Sequence, residues 1–323
     1  MLRPGWLCGA AIVLVSAATA GSAGAKGQFT SFDPSGSVYT FAASINTSGT
    51  IAGYYYDSTG ATHGFVRMSD GTITAFDPKG STSTEATSIN DNGDVAGWYR
   101  DKSGTYVNFV RASDGTITKF NATEGYEPAT VGLNAKGKVA GWYTTTNYQM
   151  AGFLGMPQGK IRQLSVEGVA INKTGTVTGV DGTNGFVRTP SGNIKTFTGP
   201  GNPGRTVPTA INDSGVVAGF DSAICGSDSH GFSRDAGGNV AAIDPPDSEY
   251  TVVEGVNAKG VLTGTYYYGA YHGFVMSHDG TYKSFDVPGA TYGTYPQSIN
   301  ASGAIAGGYF DGSDVRHGFV GTP

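Results

Sequence analysis

The sequence predicts an all-β, seven-bladed β-propeller of four-stranded blades, its last blade closed by the N-terminal strand. Three observations lead there. A segment of about 44 residues recurs seven times, each copy divides into four short strand-like runs between turns, and the final copy lacks a fourth run that the start of the chain supplies.

Taken in order, residues 1–25 hold one basic residue, Arg3, an apolar run "WLCGAAIVLV" and a small-residue ending "SAGA" before Lys26. That is the layout of a cleaved secretory signal peptide, and its apolar core is too short to span a bilayer. The expected mature protein is residues 26–323, one repeat domain, exported to the extracellular space or periplasm and not inserted in a membrane after cleavage. Cys8 leaves with the peptide, so Cys225 stands alone and no internal disulfide framework forms. Cys225 sits in the long connection "DSAICGSDSH" with no basic residue beside it to activate a thiol, and reads as incidental.

Without Arg3 the chain carries 19 basic and 25 acidic side chains, a net charge of −6. Such a chain is not built to attract nucleic acid or anionic lipid. With 52 Gly and only 14% charged residues, composition favours short strands and turns over helices.

The first expected strand, in "GQFTSFD" (Gly27 to Asp33), has no partner in its own neighbourhood and would complete the last blade, leaving no open sheet edge. Each repeat then opens on an aliphatic-Asn pair, at Asn46, Asn90, Asn134, Asn172, Asn212, Asn257 and Asn300. A Gly follows three residues later in all seven copies, at 49, 93, 137, 175, 215, 260 and 303. An Asn side chain capping a turn, with a Gly free to take positive φ, makes a tight hairpin with a bulge. The Asn residues are therefore read as turn caps and not as a ligand ring. The residues two before each Asn (Ser44, Ser88, Gly132, Ala170, Ala210, Gly255, Ser298) are all small, as seven strands converging on an axis require.

A second strand follows as "IAG", "VAG", "VTG" or "LTG". The third holds a Phe in every copy, at 65, 109, 153, 186, 232, 274 and 319, expected to pack between blades. The fourth is typified by "GTITAFD".

The third-strand motif "HGFV", at His63, His272 and His317, with "HGFS" at His230, resembles the HAF-repeat proteins of bacterial exteriors, named for a His-small-Phe repeat. The resemblance covers the mature chain, though three copies depart from His, with Asn108, Ala151 and Asn184. It implies an extracellular protein and brings no established activity and no catalytic residues.

The candidate chemistry lies at one end of the predicted ring, where second-to-third and fourth-to-first connections emerge. Aromatic second-strand ends (Tyr55, Trp98, Tyr99, Trp142, Tyr143, Tyr266, Tyr309) meet Asp-Pro-type turns carrying Asp77 and Asp286. Rings stack on sugar faces and carboxylates bind hydroxyls, so these nine residues are candidate ligand contacts for a glycan or another surface polymer. The alternative is that the aromatics pack between blades and the Asp residues only turn the chain. The recurrent His residues read as hydrogen-bonding strand starts, because a catalytic residue is needed once; His278 falls in a turn.

No "HExxH", "GxSxG" or phosphate-binding loop occurs, and "DNGD" (Asp91 to Asp94) and "DGSD" (Asp311 to Asp314) lack calcium-loop spacing. No metal, cofactor or catalytic set is assigned. If the protein is instead a polysaccharide hydrolase or lyase, its site is expected at the mouth of the central channel, near the irregular "GPGNPGRTVP" with Arg205, Asp221, Asp228 and His230. A passive protein-docking ring would show neither kind of site.

Overall fold

The computed structural model describes residues 27–121, 126–201, 204–222 and 229–323; the expected signal peptide, Cys225 and Asp228 lie outside the described residues. Among them, 28 strands form seven four-stranded antiparallel sheets arranged as the blades of a propeller, with no helix. We letter the strands of each blade a to d from the axis outward. In blade 1 they are Ser37–Ile45, Ile51–Asp57, Thr62–Arg67 and Ile73–Phe76.

Blade 7 is closed as the sequence predicts. Its strands a to c are Gly293–Ile299, Ile305–Phe310 and Arg316–Thr322, and Gln28–Phe32 adds the fourth, running from Gln28 opposite Thr322 to Phe32 opposite Gly318. Joining the two chain ends in one sheet removes the exposed edge that would otherwise recruit other strands.

The seven repeated Phe residues are all 0% exposed. Five of them meet a strand-d ring of the preceding blade edge-on: Phe32 on Phe65 at 6.0 Å between ring centroids, Phe76 on Phe109 at 5.8 Å, Phe120 on Phe153 at 6.3 Å, Phe197 on Phe232 at 5.7 Å and Phe285 on Phe319 at 6.4 Å. Phe186 and Phe274 pack in clusters with Leu164 and Ile243 instead. Each ring is the wedge between two blades, and its burial stabilises the ring by ~1.5–3 kcal/mol.

The Asn turns are as expected: Asn46 Oδ1 accepts from the N–H of Ser48 (3.1 Å) and of Thr50 (2.9 Å), and Gly49 has φ +81°. The structure adds what the local pattern did not contain. Asn46 Nδ2 donates to the carbonyl of Asn90, Asn90 to Asn134, and so on to Asn300, which donates back to Asn46, at 3.0–3.1 Å throughout. One residue thus caps its own hairpin and ties it to the next blade.

Strand a carries a bulge in all seven blades, immediately before the small residue preceding the aliphatic-Asn pair. The extra residues include Ala43, Thr87, Val131, Thr209, Glu254 and Gln297, which line a central cavity of about 190 Å³ with Ser44, Ser88 and Ser298. The strand-b Gly has a cause here too: a Cβ on Gly53 would stand 2.0 Å from the Phe41 carbonyl oxygen on the bulged strand.

Candidate functional site

Chain direction sorts the connections. The a–b and c–d turns leave at the Asn end; the b–c and d–a connections leave at the opposite, loop end, where the sequence placed its candidates.

Strand alternation divides those candidates. Tyr55, Tyr99, Tyr143 and Tyr309 are 8%, 4%, 5% and 7% exposed, so they present no ring face to a ligand. Tyr55 lies on the His63 ring at 5.1 Å and Tyr309 on His317 at 5.2 Å, with the Tyr309 hydroxyl 3.0 Å from Ser31 Oγ. Tyr143 packs with Phe120 and Phe153. Tyr266 is half-buried on His272 at 5.4 Å, its hydroxyl 2.8 Å from Ser284 Oγ. The packing alternative accounts for these five: the residue position that recurs most regularly faces a neighbouring blade. Trp98 and Trp142 alternate onto the opposite face and are half-buried, Trp98 against Tyr106 at 5.3 Å.

Asp77 and Asp286 are exposed but bonded within the protein. His63 Nδ1 is 2.7 Å from Asp77, His272 Nδ1 2.9 Å from Asp286, His230 Nδ1 3.1 Å from Asp244 and His317 Nδ1 2.7 Å from Asp33. Each His therefore ties the start of strand c to the end of strand d. Asp77 also accepts from the Thr84 hydroxyl at 2.6 Å, on the next blade. The Asp286 carboxylate raises the pKa of His272 against the opposing effect of burial. Burial pulls His63 and His317 down, but the carboxylates on either side of each ring outweigh it and their pKa values are also raised.

The register corrects one equivalence. Val107 stands opposite Tyr99 as His63 stands opposite Tyr55, so Val107 fills the His position in blade 2 and Asn108 occupies the Gly position. Buried there, Asn108 Oδ1 accepts from the Thr130 hydroxyl at 2.6 Å, while its Nδ2 has no partner.

The described blade-five candidates, Arg205, Asp221 and His230, do not converge. Arg205 is paired with Glu167 at 2.8 Å, Asp221 accepts from the Gly201 N–H at 2.6 Å, and His230 faces Asp244. Among the described residues no group of three or more His, Cys, Asp and Glu is placed to hold a metal ion. Asp311 Oδ1 caps its own turn, accepting from Ser313 and Val315.

What the loop end gathers instead is an uneven cluster around the axis on blades 6, 7 and 1. Arg316, at the start of strand c in blade 7, has its Cζ 4.1 Å from the centre of Phe41 and 5.7 Å from that of Phe310. From there the rings run in contact both ways. Phe41 stacks on Tyr54 at 4.7 Å and 7°; on the other side Phe310 meets Tyr295 at 5.7 Å, Tyr295 meets Tyr271 at 5.5 Å, and Tyr271 meets Tyr250 and Tyr267 at 6.2 and 5.0 Å. All these rings are half-buried, and Tyr268 and Tyr292, 58% and 56% exposed, stand at the same end of blades 6 and 7.

Two carboxyl groups border this arc. Glu254, the bulged residue of blade 6, lines the central cavity, and burial pushes its pKa up to about 7 against the lowering effect of Arg316. Burial likewise pushes Glu85 up to about 7; it stands opposite Trp98. Burial and then Tyr271 raise Tyr295 to about 12, and burial raises Tyr54 further. The arrangement offers stacking faces, one cation and two carboxyl groups that titrate near neutrality.

Sequence reasoning passed over Arg316, Glu85 and Glu254 because it weighed what repeats. The signal was present in the departures: aligned on register, the strand-b column reads Tyr54, Trp98, Trp142, Val180, Phe220, Thr265, Gly308. Only in blade 7 is it glycine.

No protein-family model matches the chain, and no curated relative matches it in sequence. Solved structures do match. The chain is similar to a streptogramin B lyase (TM-score 0.63, 13% identity, covering 91% of this chain and 97% of that one). It is equally similar to virginiamycin B lyase from Staphylococcus aureus (0.63, 13%, 92% and 100%). The β-propeller domain of the Trilobed protease from Pyrococcus furiosus also matches (0.60, 10%, 88% and 95%). The likeness is one of fold. At these identities it carries no activity across.

Proposed function

We propose that this is an exported propeller that binds a saccharide polymer at the loop-end mouth of its central channel, on blades 6, 7 and 1. The observation that carries this reading is the continuous aromatic arc around Arg316, concentrated on three of seven blades. Half-exposed rings with polar groups within reach are what sugar rings require. The signal-peptide-like segment supports a location where such polymers are met. Recognition is by one uneven site and not by seven equivalent ones, since the regularly repeated tyrosines are spent on packing.

A glycan array probed with residues 26–323 tests it, followed by titration of any hit against Tyr268→Ala/Tyr271→Ala. Saturable binding that falls about tenfold in the variant, in keeping with about 1–1.5 kcal/mol for lost ring contacts, with a cooperative thermal transition retained, supports the reading. Binding indifferent to these rings, or none on any glycan, overturns it.

One observation favours a second reading, cleavage of the bound polymer: Glu254, with its pKa near 7 beside the cavity, has the poise of a general acid or base. Analysis of the bound oligosaccharide for new reducing ends or unsaturated products, lost in Glu254→Gln, distinguishes catalysis from binding alone.

A further inference from the structure

Arg316 is set apart from the other cations at the loop end by what surrounds it. Its guanidinium lies between the rings of Phe41 and Phe310. Its Nε is buried without a hydrogen-bond partner, and among the described residues no carboxylate pairs with it. Arg316 is half-buried, so its guanidinium is stripped of part of its water with no ionic partner in contact among the described residues, and an anion arriving at the mouth would supply what is missing.

The seat is also built for it. A Cβ on Gly308 would fall 2.4 Å from Arg316 Nε, so the side chain occupies the volume that Tyr54 or Trp98 fills in blades 1 and 2. The groups around it are Tyr54 from strand b of blade 1, Tyr295 from strand a of blade 7 and Glu254 from strand a of blade 6. Asp314, on the turn leading into its own strand, reaches Tyr295 electrostatically. Glu254 is the carboxyl group able to neutralise Arg316, and burial keeps it protonated up to about pH 7. Over that range the cation is left uncompensated inside an aromatic frame.

We infer that Arg316 is an oxyanion receptor, and that the saccharide bound at this mouth is an acidic one whose carboxylate or sulfate ester engages the guanidinium while its sugar faces lie on the flanking rings. The fork of a guanidinium matches both groups in two parallel hydrogen bonds, and the aromatic walls strengthen them by excluding water. The inference rests on the proposed mouth site and names its ligand class.

The test is a set of titrations of residues 26–323 with a galacturonate trimer, its carboxyl-reduced neutral counterpart, and a sulfated trimer of the same sugar. The expected result is that one or both acidic trimers bind at least about tenfold tighter than the neutral one, a charge-assisted contribution of ordinary size. Which of them does so tells carboxylate from sulfate. The preference should shrink to about threefold or less in Arg316→Gln and in Gly308→Ala, where the new methyl displaces the guanidinium while leaving the fold free to form. It should also weaken for wild type between pH 6 and pH 8.5, as Glu254 and Glu85 ionise. Equal affinity for all three trimers, with binding still lost in Tyr268→Ala/Tyr271→Ala, overturns the inference and leaves the mouth site standing. An acid preference that survives both Arg316→Gln and Gly308→Ala overturns the role of Arg316. No binding of any trimer overturns the inference and removes support from the mouth site with it.

Discussion

The two ends of the propeller are built on opposite plans. At the Asn end every blade does the same thing: seven Asn residues cap seven hairpins and bond in a closed circle around a basin of about 220 Å³. Charged neighbours there are bonded within the protein, as Lys173 is to Asp213 at 3.2 Å. At the loop end the blades diverge: aromatic bulk collects on blades 6, 7 and 1, and Arg316 fills a space opened by a glycine found at that register in blade 7 alone. Strict repetition marks where seven units must fit one another. Broken repetition marks where the ring meets something that is not itself sevenfold.

The comparison can be broken most severely through closure. Deleting residues 27–34 removes the strand that joins the two chain ends, exposing Arg316–Thr322 as an open edge. The expected outcome is aggregation or loss of a cooperative transition, read by light scattering and calorimetry. A truncated protein as stable as the full one would mean the ring is held elsewhere.

Next in size are the wedges. Phe319→Ala or Phe65→Ala should destabilise by about 3–5 kcal/mol, since each ring is fully buried between blades with little room to relax. Chemical denaturation checks this. At the Asn end, Asn300→Ala loses the bonds to Ser302 and Ala304 and the donor that closes the circle on Asn46, and should cost about 1–3 kcal/mol while leaving ligand binding unchanged. Arg316→Gln should behave in the reverse manner, with a small stability change and a large binding change. If both variants moved both readouts together, the division between the two ends would fail.

The smallest expected effect is on pH dependence. Glu85 and Glu254 keep their protons in the fold up to about pH 7, whereas in the unfolded chain they ionise near 4.5. The unfolded state therefore binds fewer protons across that window, and stability falls as pH rises through it. His63, His272 and His317, whose pKa values are raised above 6.5, contribute stability that is complete below that value and lost as pH climbs through their folded values. The melting temperature should thus decline steadily from about pH 4.5 into the alkaline range. Glu85→Gln/Glu254→Gln should flatten the lower part of that decline. A slope unchanged by both substitutions would place its origin outside the mouth.

The fold was legible because its determinants are local and repeated seven times. The aliphatic-Asn pair and the following Gly mark each hairpin, the Phe marks each blade interface, and the missing fourth strand marks closure. The Asn circle was not legible, since it needs residues about 44 positions apart to be placed side by side. The site was legible only as an end of the ring. Tyr55, Tyr99, Tyr143 and Tyr309 drew attention by recurring, and recurrence on a strand is what packing produces. Trp98 and Trp142, one residue earlier, share the register of Tyr54 and Gly308, but nothing in a linear pattern tells one strand face from the other until blades are set against each other. Arg316 and Glu254 stand in columns that vary from blade to blade, Thr62, Tyr106, Met150, Ser229 and Tyr271 for the first and Ala43, Thr87, Val131, Val169, Thr209 and Gln297 for the second. Only alignment by register shows that each is the one charged residue there.

The division between a structural end and a binding end is tested most directly by hydrogen exchange of residues 26–323 with and without a saturating acidic oligosaccharide. The expected result is ligand-dependent protection at the loop end of blades 6, 7 and 1, in segments 37–41, 250–254, 266–272, 292–295 and 310–317, with the seven Asn turns unaltered. Protection centred on the Asn turns, or spread evenly over all seven blades, would contradict it.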